Sequence, residues 1–153
     1  MARRTKAQLA PEAYLTLMRV HERLAGDLAT LFKAHGLTQA TYNALRILRG
    51  AGPDGLPCNA VGERLVNRVP DVTRLLDRME RDGLVRRERS SEDRRVVLAF
   101  LTDEGRTRVD ALDDPVLQRH LDQFADFTTG DLESLLEALE RLVASAPAPA
   151  PGD

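Results

Sequence analysis

The sequence lacks most of what a disulfide-bonded, membrane-spanning or aromatic-rich protein needs. Its 153 residues include one cysteine and no tryptophan, and aromatic residues make up 4% of the chain. A single cysteine cannot form an internal disulfide, and no stretch approaches the roughly 18 apolar residues of a membrane span. The length and the 42% hydrophobic content are typical of one ordinary domain, which we expect in the reducing environment of the cytoplasm.

Sequence signals of catalysis and metal binding are also scarce. The chain contains no Gly-x-Ser-x-Gly and no Cys-x-x-Cys segment. Its three histidines, His21, His35 and His120, are too far apart for the i, i+3 or i, i+4 spacing of a local metal site. We therefore expect neither an enzyme nor a cofactor, and a metal site only by assembly from distant segments.

Positive and negative charges nearly cancel over the whole chain, but they do not cancel within its parts. The net charge is −2, yet residues 1–59 carry eight basic and four acidic side chains, and residues 60–100 carry ten and eight. Residues 101–153 carry four basic and twelve acidic side chains. Because a partner meets the local field and not the sum, the small net charge does not exclude nucleic acid.

Apolar residues at spacings of three and four predict helices at both ends of the chain. The first runs from about Pro11 to Ala34, and Thr38 is the expected N-cap of a second, which the glycines of residues 50–55 end. A third, short helix spans about 57–65. Thr102 is the expected cap of a later helix that breaks at Asp113-Asp114-Pro115, before helical stretches at about 116–127 and 130–143.

The middle of the chain combines a charged helix with a short hairpin. Apolar and charged residues alternate between Val69 and Asp82 with helical spacing, and Gly83 ends this fourth helix. Residues 84–89 and 96–101 read as two strands around a polar tip at residues 90–95. The order helix, helix, turn, helix, hairpin is the winged helix-turn-helix plan. The predicted fold class is therefore mainly α with a small β-hairpin wing (α+β).

Several segments resemble the MarR (multiple antibiotic resistance regulator) family. They are Leu37-Thr38 with residues 42–48, the stretch 72–87, Ser91-Glu92-Asp93-Arg94-Arg95, and Leu101-Thr102-Asp103-Glu104-Gly105. The resemblance implies a homodimer whose terminal helices interleave and whose winged domains each bind DNA. Leucine stripes in residues 11–34 and 130–143, too long to be buried in one small domain, agree with it. We expect dimerisation regions at 9–36 and 103–145, a DNA-binding domain at 37–102 and a disordered tail at 146–153.

The family pattern also implies which side chains contact DNA. A twofold dimer implies a pseudo-palindromic operator with half-sites about 10 bp apart. Arg74 is the first choice for a bidentate contact to guanine, and Arg95 for a narrow A·T minor groove, with Asp93 orienting it. Arg87 and Arg89 are more typical of strand-surface charges. The predicted recognition-helix residues are Pro70, Asp71, Thr73, Arg74 and Arg78; the wing residues are Asp93, Arg94 and Arg95; Arg68 and Arg86 are candidates for phosphate contacts.

A small effector is the remaining implied partner. Members of the family typically release DNA when a small, often aromatic and anionic compound binds between the dimer helices and the winged domain. The segments expected to line that crevice contain Tyr14, His21, Tyr42, Arg46 and Arg49. Ordinary core and surface roles remain the alternative for each of these residues.

Two other functions stay open at this point. Cys58, at the start of the third helix, invites a thiol redox sensor, because a helix N-terminus lowers a thiol pKa; a small buried thiol is the alternative. The winged domain could also serve protein contacts or architectural DNA binding without an effector. Salt-dependent binding to one inverted repeat distinguishes a regulator from both.

Overall fold

The computed structural model describes residues 4–65 and 71–146, which form seven α-helices, one 3-10 helix (Gly52–Asp54) and three strands. Those up to Arg119 form one compact unit and those from His120 form a second. The helices are α1 (Lys6–Ala34), α2 (Gln39–Ala51), α3 (Cys58–Arg64), α4 (Val72–Arg81), α5 (Asp103–Asp110), α6 (Asp113–Gln123) and α7 (Thr129–Ser145); the strands are β1 (Leu56–Pro57), β2 (Val85–Arg89) and β3 (Val97–Leu101). Among the described residues, no helix is both long and apolar enough to cross a bilayer.

Side-chain caps set the starts of the helices around the hairpin. Thr38 Oγ1 accepts from Thr41 N at 3.1 Å, and Thr102 Oγ1 accepts from Gly105 N at 3.0 Å, so both predicted N-caps are confirmed. The C-terminal end of α4 is closed by hydrogen bonds from Gly83 N to Glu80 O and from Leu84 N to Met79 O. This double closure is the Schellman arrangement, and it turns the chain directly into β2.

The first helix begins earlier than the sequence predicts. The apolar spacing predicts a start at about Pro11. Instead, Gln8 Oε1 accepts from Thr5 N at 2.9 Å, which caps a helix starting at Lys6 and leaves Pro11 inside it. The Thr5-x-x-Gln8 spacing was the available signal.

The fourth and sixth helices also differ from the predicted limits. Asp71 Oδ1 accepts from Arg74 N at 2.9 Å, so α4 starts at Val72 and not at Val69. The Asp-Asp-Pro segment does not end α5 but opens α6, since aspartates and proline suit a first helical turn. The α6 helix ends at Gln123, short of the predicted Phe127.

The wing is a three-stranded antiparallel sheet in the order β1-β3-β2, not a two-stranded hairpin. β2 pairs with β3 from Val85↔Leu101 to Arg89↔Val97, and Leu56 pairs with Ala99. A two-residue strand has no alternation that a sequence pattern could show. A Cβ on Gly55 would lie 2.7 Å from Ala99 O, so the absent side chain at this position permits the close approach of β1.

The hydrophobic core lies in the first unit, between α1, α2, α4 and the sheet. Its largest fully buried side chains include Phe32, Leu45, Leu75, Leu76 and Met79. The second unit, by itself, holds an edge-to-face pair of Phe124 and Phe127 with centroids 5.7 Å apart. The α7 helix begins with reciprocal bonds between Thr128 and Asp131.

Replacing Gly105 with alanine should destabilise the first unit. An added Cβ would lie 2.1 Å from Leu84 O and 2.8 Å from Leu101 Cδ1, so α5 would have to move away from the sheet. Overpacking of this kind costs about 1–3 kcal/mol, which urea unfolding would measure. Gly50→Ala is the matched control, because nothing lies within 4 Å of its added Cβ. It should gain about 0.5–1 kcal/mol, and equal losses in both variants would contradict this packing.

Candidate nucleic-acid interface

The exposed side of α4 carries the candidate reading residues. Leu75, Leu76 and Met79 are buried, while Thr73, Arg74 and Arg78 are exposed on the remaining surface of the helix. The Arg74 side chain is 84% exposed. The apolar side thus docks α4 on the core and leaves the guanidinium groups free to meet a partner.

Asp71 has two roles at the start of this helix. Its Oδ1 accepts from Arg74 N, and its Oδ2 lies 3.2 Å from Arg74 Nε. A carboxylate at an N-cap is stabilised by the helix dipole, and here it also restricts the orientation of the arginine. Pro70 and Arg68, also predicted to contact DNA, lie outside the described residues.

The hairpin tip is ordered by its own side chains. Asp93 Oδ1 accepts from Arg95 N at 3.0 Å and lies 3.2 Å from Arg95 Nε. Arg89 Nη1 donates to Arg94 O at 2.9 Å, and Ser90 Oγ accepts from Glu92 N. The Arg95 side chain is nevertheless 92% exposed, so the tip presents an arginine whose stem is restrained and whose guanidinium is open to solvent.

Arg86, a candidate phosphate contact, has partners within the sheet. Its guanidinium carbon lies 4.2 Å from the centre of the ring of Phe100, the residue of β3 with which Arg86 pairs. Its Nη1 contacts Glu88. These contacts hold Arg86 along the sheet surface. A phosphate would have to compete with Glu88 for it.

The residues proposed for an effector crevice fall into two groups. Tyr42, Arg46 and Arg49 lie on α2, where the Tyr42 ring stacks on Phe32 with centroids 4.5 Å apart. Tyr14 and His21 are exposed on α1, 18 and 11 residues before Phe32. At about 1.5 Å per helical residue, that places them roughly 27 and 16 Å along the axis from the Phe32–Tyr42 contact. One chain does not bring the two groups together.

Arg49 is engaged by carboxylates at the α5–α6 junction. Its Nη1 lies 2.6 Å from Asp110 Oδ1 and 2.8 Å from Asp113 Oδ2, and its Nη2 donates to Asp113 Oδ1 at 2.8 Å. The hydrogen bond from Arg49 lowers the pKa of Asp113, and burial raises the pKa of Tyr42. Arg49 therefore joins α2 to both helices, and an anionic ligand would have to displace a carboxylate to reach it.

The sequence reading missed the role of Arg87. Its side chain is 22% exposed and contacts two acids of α4: Nη2 lies 2.5 Å from Asp77 Oδ1 and 2.7 Å from Glu80 Oε2. Asp77 and Glu80 are three residues apart, hence on one flank of the helix. That spacing, followed by a tight turn into a strand, was the only sequence signal of an ion pair from helix to sheet.

Cys58 is half-buried and lines a cavity of about 800 Å³ together with Thr73, Leu76 and Arg87. Burial raises the pKa of its thiol, although the nearby Arg87 acts in the opposite direction. A raised pKa leaves less thiolate at neutral pH, which disfavours the redox-sensor alternative. Within residues 4–65 and 71–146, no group of three His, Cys, Asp or Glu side chains is arranged to hold a metal ion.

Known proteins are similar to this chain in sequence and in fold. A MarR family profile matches residues 35–96. The chain is 36% identical to a MarR transcription factor from Planctomyces limnophilus, covering 90% of this chain and 98% of that one with a TM-score of 0.69. It is 28% identical to the homoprotocatechuate degradative operon repressor of Escherichia coli over 85% of this chain and 86% of the relative. At 22% identity and a TM-score of 0.77, it shares the fold of a mutant MarR from E. coli solved with operator DNA, over 92% and 99% of the two chains.

The Cys58 thiol should react slowly in the folded protein. Because its pKa is raised by burial, alkylation by iodoacetamide should have a midpoint at higher pH than that of an unperturbed thiol. Mass spectrometry across pH 6–10 would follow the reaction, and the same protein unfolded in guanidinium supplies the reference. Faster alkylation of the folded form at pH 7 would restore the redox-sensor alternative.

Proposed function

This chain belongs to the MarR family of DNA-binding transcriptional regulators, and we propose that it is a dimeric repressor released from a pseudo-palindromic operator by a small aromatic ligand. One observation carries the proposal: α4 is anchored by a buried apolar side while Arg74 and Arg78 stay exposed, and an equally exposed Arg95 lies on the adjoining hairpin. A helix for one groove and a basic projection for the next are what a winged helix-turn-helix needs.

Arg74 is the proposed base-reading residue. Its guanidinium can donate two hydrogen bonds to O6 and N7 of guanine in the major groove. Asp71 restrains the Arg74 side chain before binding and therefore reduces the entropy lost on contact. Thr73 and Arg78, also exposed on α4, are placed to contact neighbouring bases or phosphates.

Arg95 is the proposed minor-groove residue. The negative potential of duplex DNA is strongest where the minor groove is narrow, as in A·T-rich segments, and a thin hairpin tip can reach it. Asp93 holds the Arg95 backbone and side chain without burying the guanidinium. Arg94, exposed beside it, would contact the phosphate backbone.

Exposed apolar side chains support the dimer. In the first unit, Tyr14, Leu15 and Met18 on α1 are about half exposed, and in the second unit so are Leu121, Phe127 and Leu136. Clusters of exposed apolar residues mark protein interfaces, and a twofold dimer would bury the same surface on both chains. Two α4 helices related by that axis would then read two half-sites.

The proposed effector is an aromatic anion. The E. coli relative is named as the repressor of an operon that degrades homoprotocatechuate, which is an aromatic acid. In this chain, Arg46 is exposed on α2 and offers a cation, with its guanidinium carbon 5.9 Å from the ring of the buried Tyr42. Arg49 could join it only by giving up Asp110 or Asp113. Such a ligand would release DNA only if it binds better to a dimer in which the two α4 helices are wrongly spaced.

An architectural DNA binder or a winged protein-interaction module is the alternative. Neither requires exposed arginines restrained by neighbouring carboxylates, as Arg74 and Arg95 are by Asp71 and Asp93. Sequence-independent binding with a steep salt dependence would favour the architectural function. Failure to bind any duplex would favour the protein module.

Selection of bound duplexes from a random library by the purified protein tests the proposal, with a repeat in the presence of phenolic acids. On the selected duplex, Arg74→Ala should weaken binding by about 1–3 kcal/mol and relax base preference at one position of each half-site. Arg95→Ala should weaken binding mainly on A·T-rich flanks. Arg108→Ala removes a charge that pairs with Glu104 on α5 and serves as the control. Unchanged affinity in both test variants would refute these residue roles.

The dimer should depend on the apolar stripe of α7. Leu136 and Val143 are 57% and 77% exposed, and a carboxylate at each position would be buried in a dimer interface. Leu136→Glu with Val143→Glu should therefore convert a dimer of twice 17.0 kDa into a monomer on sedimentation. Glu137→Gln, on the same helix, is the control. A wild-type protein that sediments at its chain mass would contradict the proposed assembly.

A further inference from the structure

Arg87 connects the two elements that would touch DNA. From the middle of β2 it contacts α4 four times: Arg87 N donates to Glu80 Oε1 at 3.0 Å, Nε to Glu80 Oε2 at 3.0 Å, and Nη2 to Glu80 Oε2 at 2.7 Å and to Asp77 Oδ1 at 2.5 Å. A backbone and a side-chain bond to the same carboxylate fix the strand as well as the guanidinium. Forked, charge-assisted contacts of this kind carry more geometric restraint than a single ion pair.

The burial of this cluster separates it from an ordinary surface pair. Arg87 is 22% exposed, against 84% for Arg74 and 92% for Arg95. Across the strand it pairs with Ala99, which is fully buried. The hydrogen bonds that Arg87 donates to Glu80 raise the pKa of Arg87, in keeping with a guanidinium held between carboxylates. Exposed ion pairs contribute little to stability, whereas partly buried ion pairs with two or more hydrogen bonds restrict the orientation of both side chains.

Further hydrogen bonds order the hairpin between Arg87 and its tip. Two residues beyond Arg87 on the same strand face, Arg89 donates to Arg94 O, and Ser90 N donates to Val96 O. Asp93 then restrains Arg95. At its base the sheet is held by the buried Val85 and Ala99 and by the pairing of β3 with β1. Within the described residues, the side-chain hydrogen bonds that join the hairpin to α4 all involve Arg87.

We propose that Arg87 is a positioning residue: it holds the hairpin at a fixed orientation to α4, so that Arg74 and Arg95 reach adjacent grooves as one rigid unit. The inference rests on the proposed DNA-binding function. Two contacts on one rigid body lose less conformational freedom on binding than two contacts on independent elements. The contribution of Arg95 to affinity should therefore depend on Arg87, although Arg87 itself does not touch DNA.

A double-mutant cycle measures this dependence. The probe is the duplex recovered by selection with the wild-type protein, followed by fluorescence anisotropy, with a scrambled duplex of equal length for comparison. We expect Arg95→Ala to weaken binding about tenfold in the wild type and about twofold in an Arg87→Gln background. Arg95→Ala should also make the slope of log affinity against log salt less steep. This change in slope should be smaller in the Arg87→Gln background than in the wild type.

Loss of stability must be separated from loss of positioning. Arg87→Gln leaves Asp77 and Glu80 as unpaired, partly buried carboxylates, which is costly in itself. The triple variant Asp77→Asn, Glu80→Gln, Arg87→Gln removes every charge of the cluster and should recover most of the unfolding midpoint. It should still show the weakened dependence on Arg95. Arg108→Gln, which breaks a pair confined to α5, should leave the tenfold effect of Arg95→Ala intact.

The outcomes are distinct. Equal losses from Arg95→Ala in the wild-type, Arg87→Gln and triple backgrounds would overturn the positioning role while leaving DNA binding standing. Recovery of the tenfold effect in the triple variant would reduce Arg87 to a stabilising residue and also overturn it. A wild-type protein that selects no duplex would remove the proposed function and this inference together.

Discussion

The docking of α4 onto the core through Leu75, Leu76 and Met79 is the constraint on which the rest of the structure depends. These side chains fix the rotation of the helix about its axis. The rotation in turn decides that Arg74 and Arg78 face solvent and that Asp77 and Glu80 face the sheet. A helix so rich in charge would have little stability alone, because its polar residues outnumber its apolar ones and its packing face is narrow.

The charges of the winged region are divided between two kinds of environment. Arg74 and Arg95 each lie near one carboxylate and remain open to solvent, whereas Arg49 and Arg87 are held by two carboxylates each. The first kind can exchange a weak internal partner for a phosphate or a base. The second kind connects elements of the fold, since exchanging its partners would leave two acids unpaired. Arginine count alone therefore says little about binding.

The architecture could be predicted from the sequence where the signal is local. Thr38 and Thr102 are N-caps, and β2 and β3 lie within the predicted strands 84–89 and 96–101. What could not be predicted depends on residues distant in sequence. The β1 strand exists because Gly55 lets two residues approach β3, and Arg87 is buried by acids seven and ten positions away on another element. Exposure of Arg74 and Arg95 follows from the pattern; the partners of Arg49 and Arg87 do not.

The guanidinium of Arg49 bridges the interruption between α5 and α6, where Ala111 and Leu112 join the two helices. Because Asp110 and Asp113 lie on opposite sides of that interruption, bending there would stretch at least one leg of the bridge. We therefore expect the two ion pairs to resist bending between α5 and the start of α6, and to keep both helix ends close to α2.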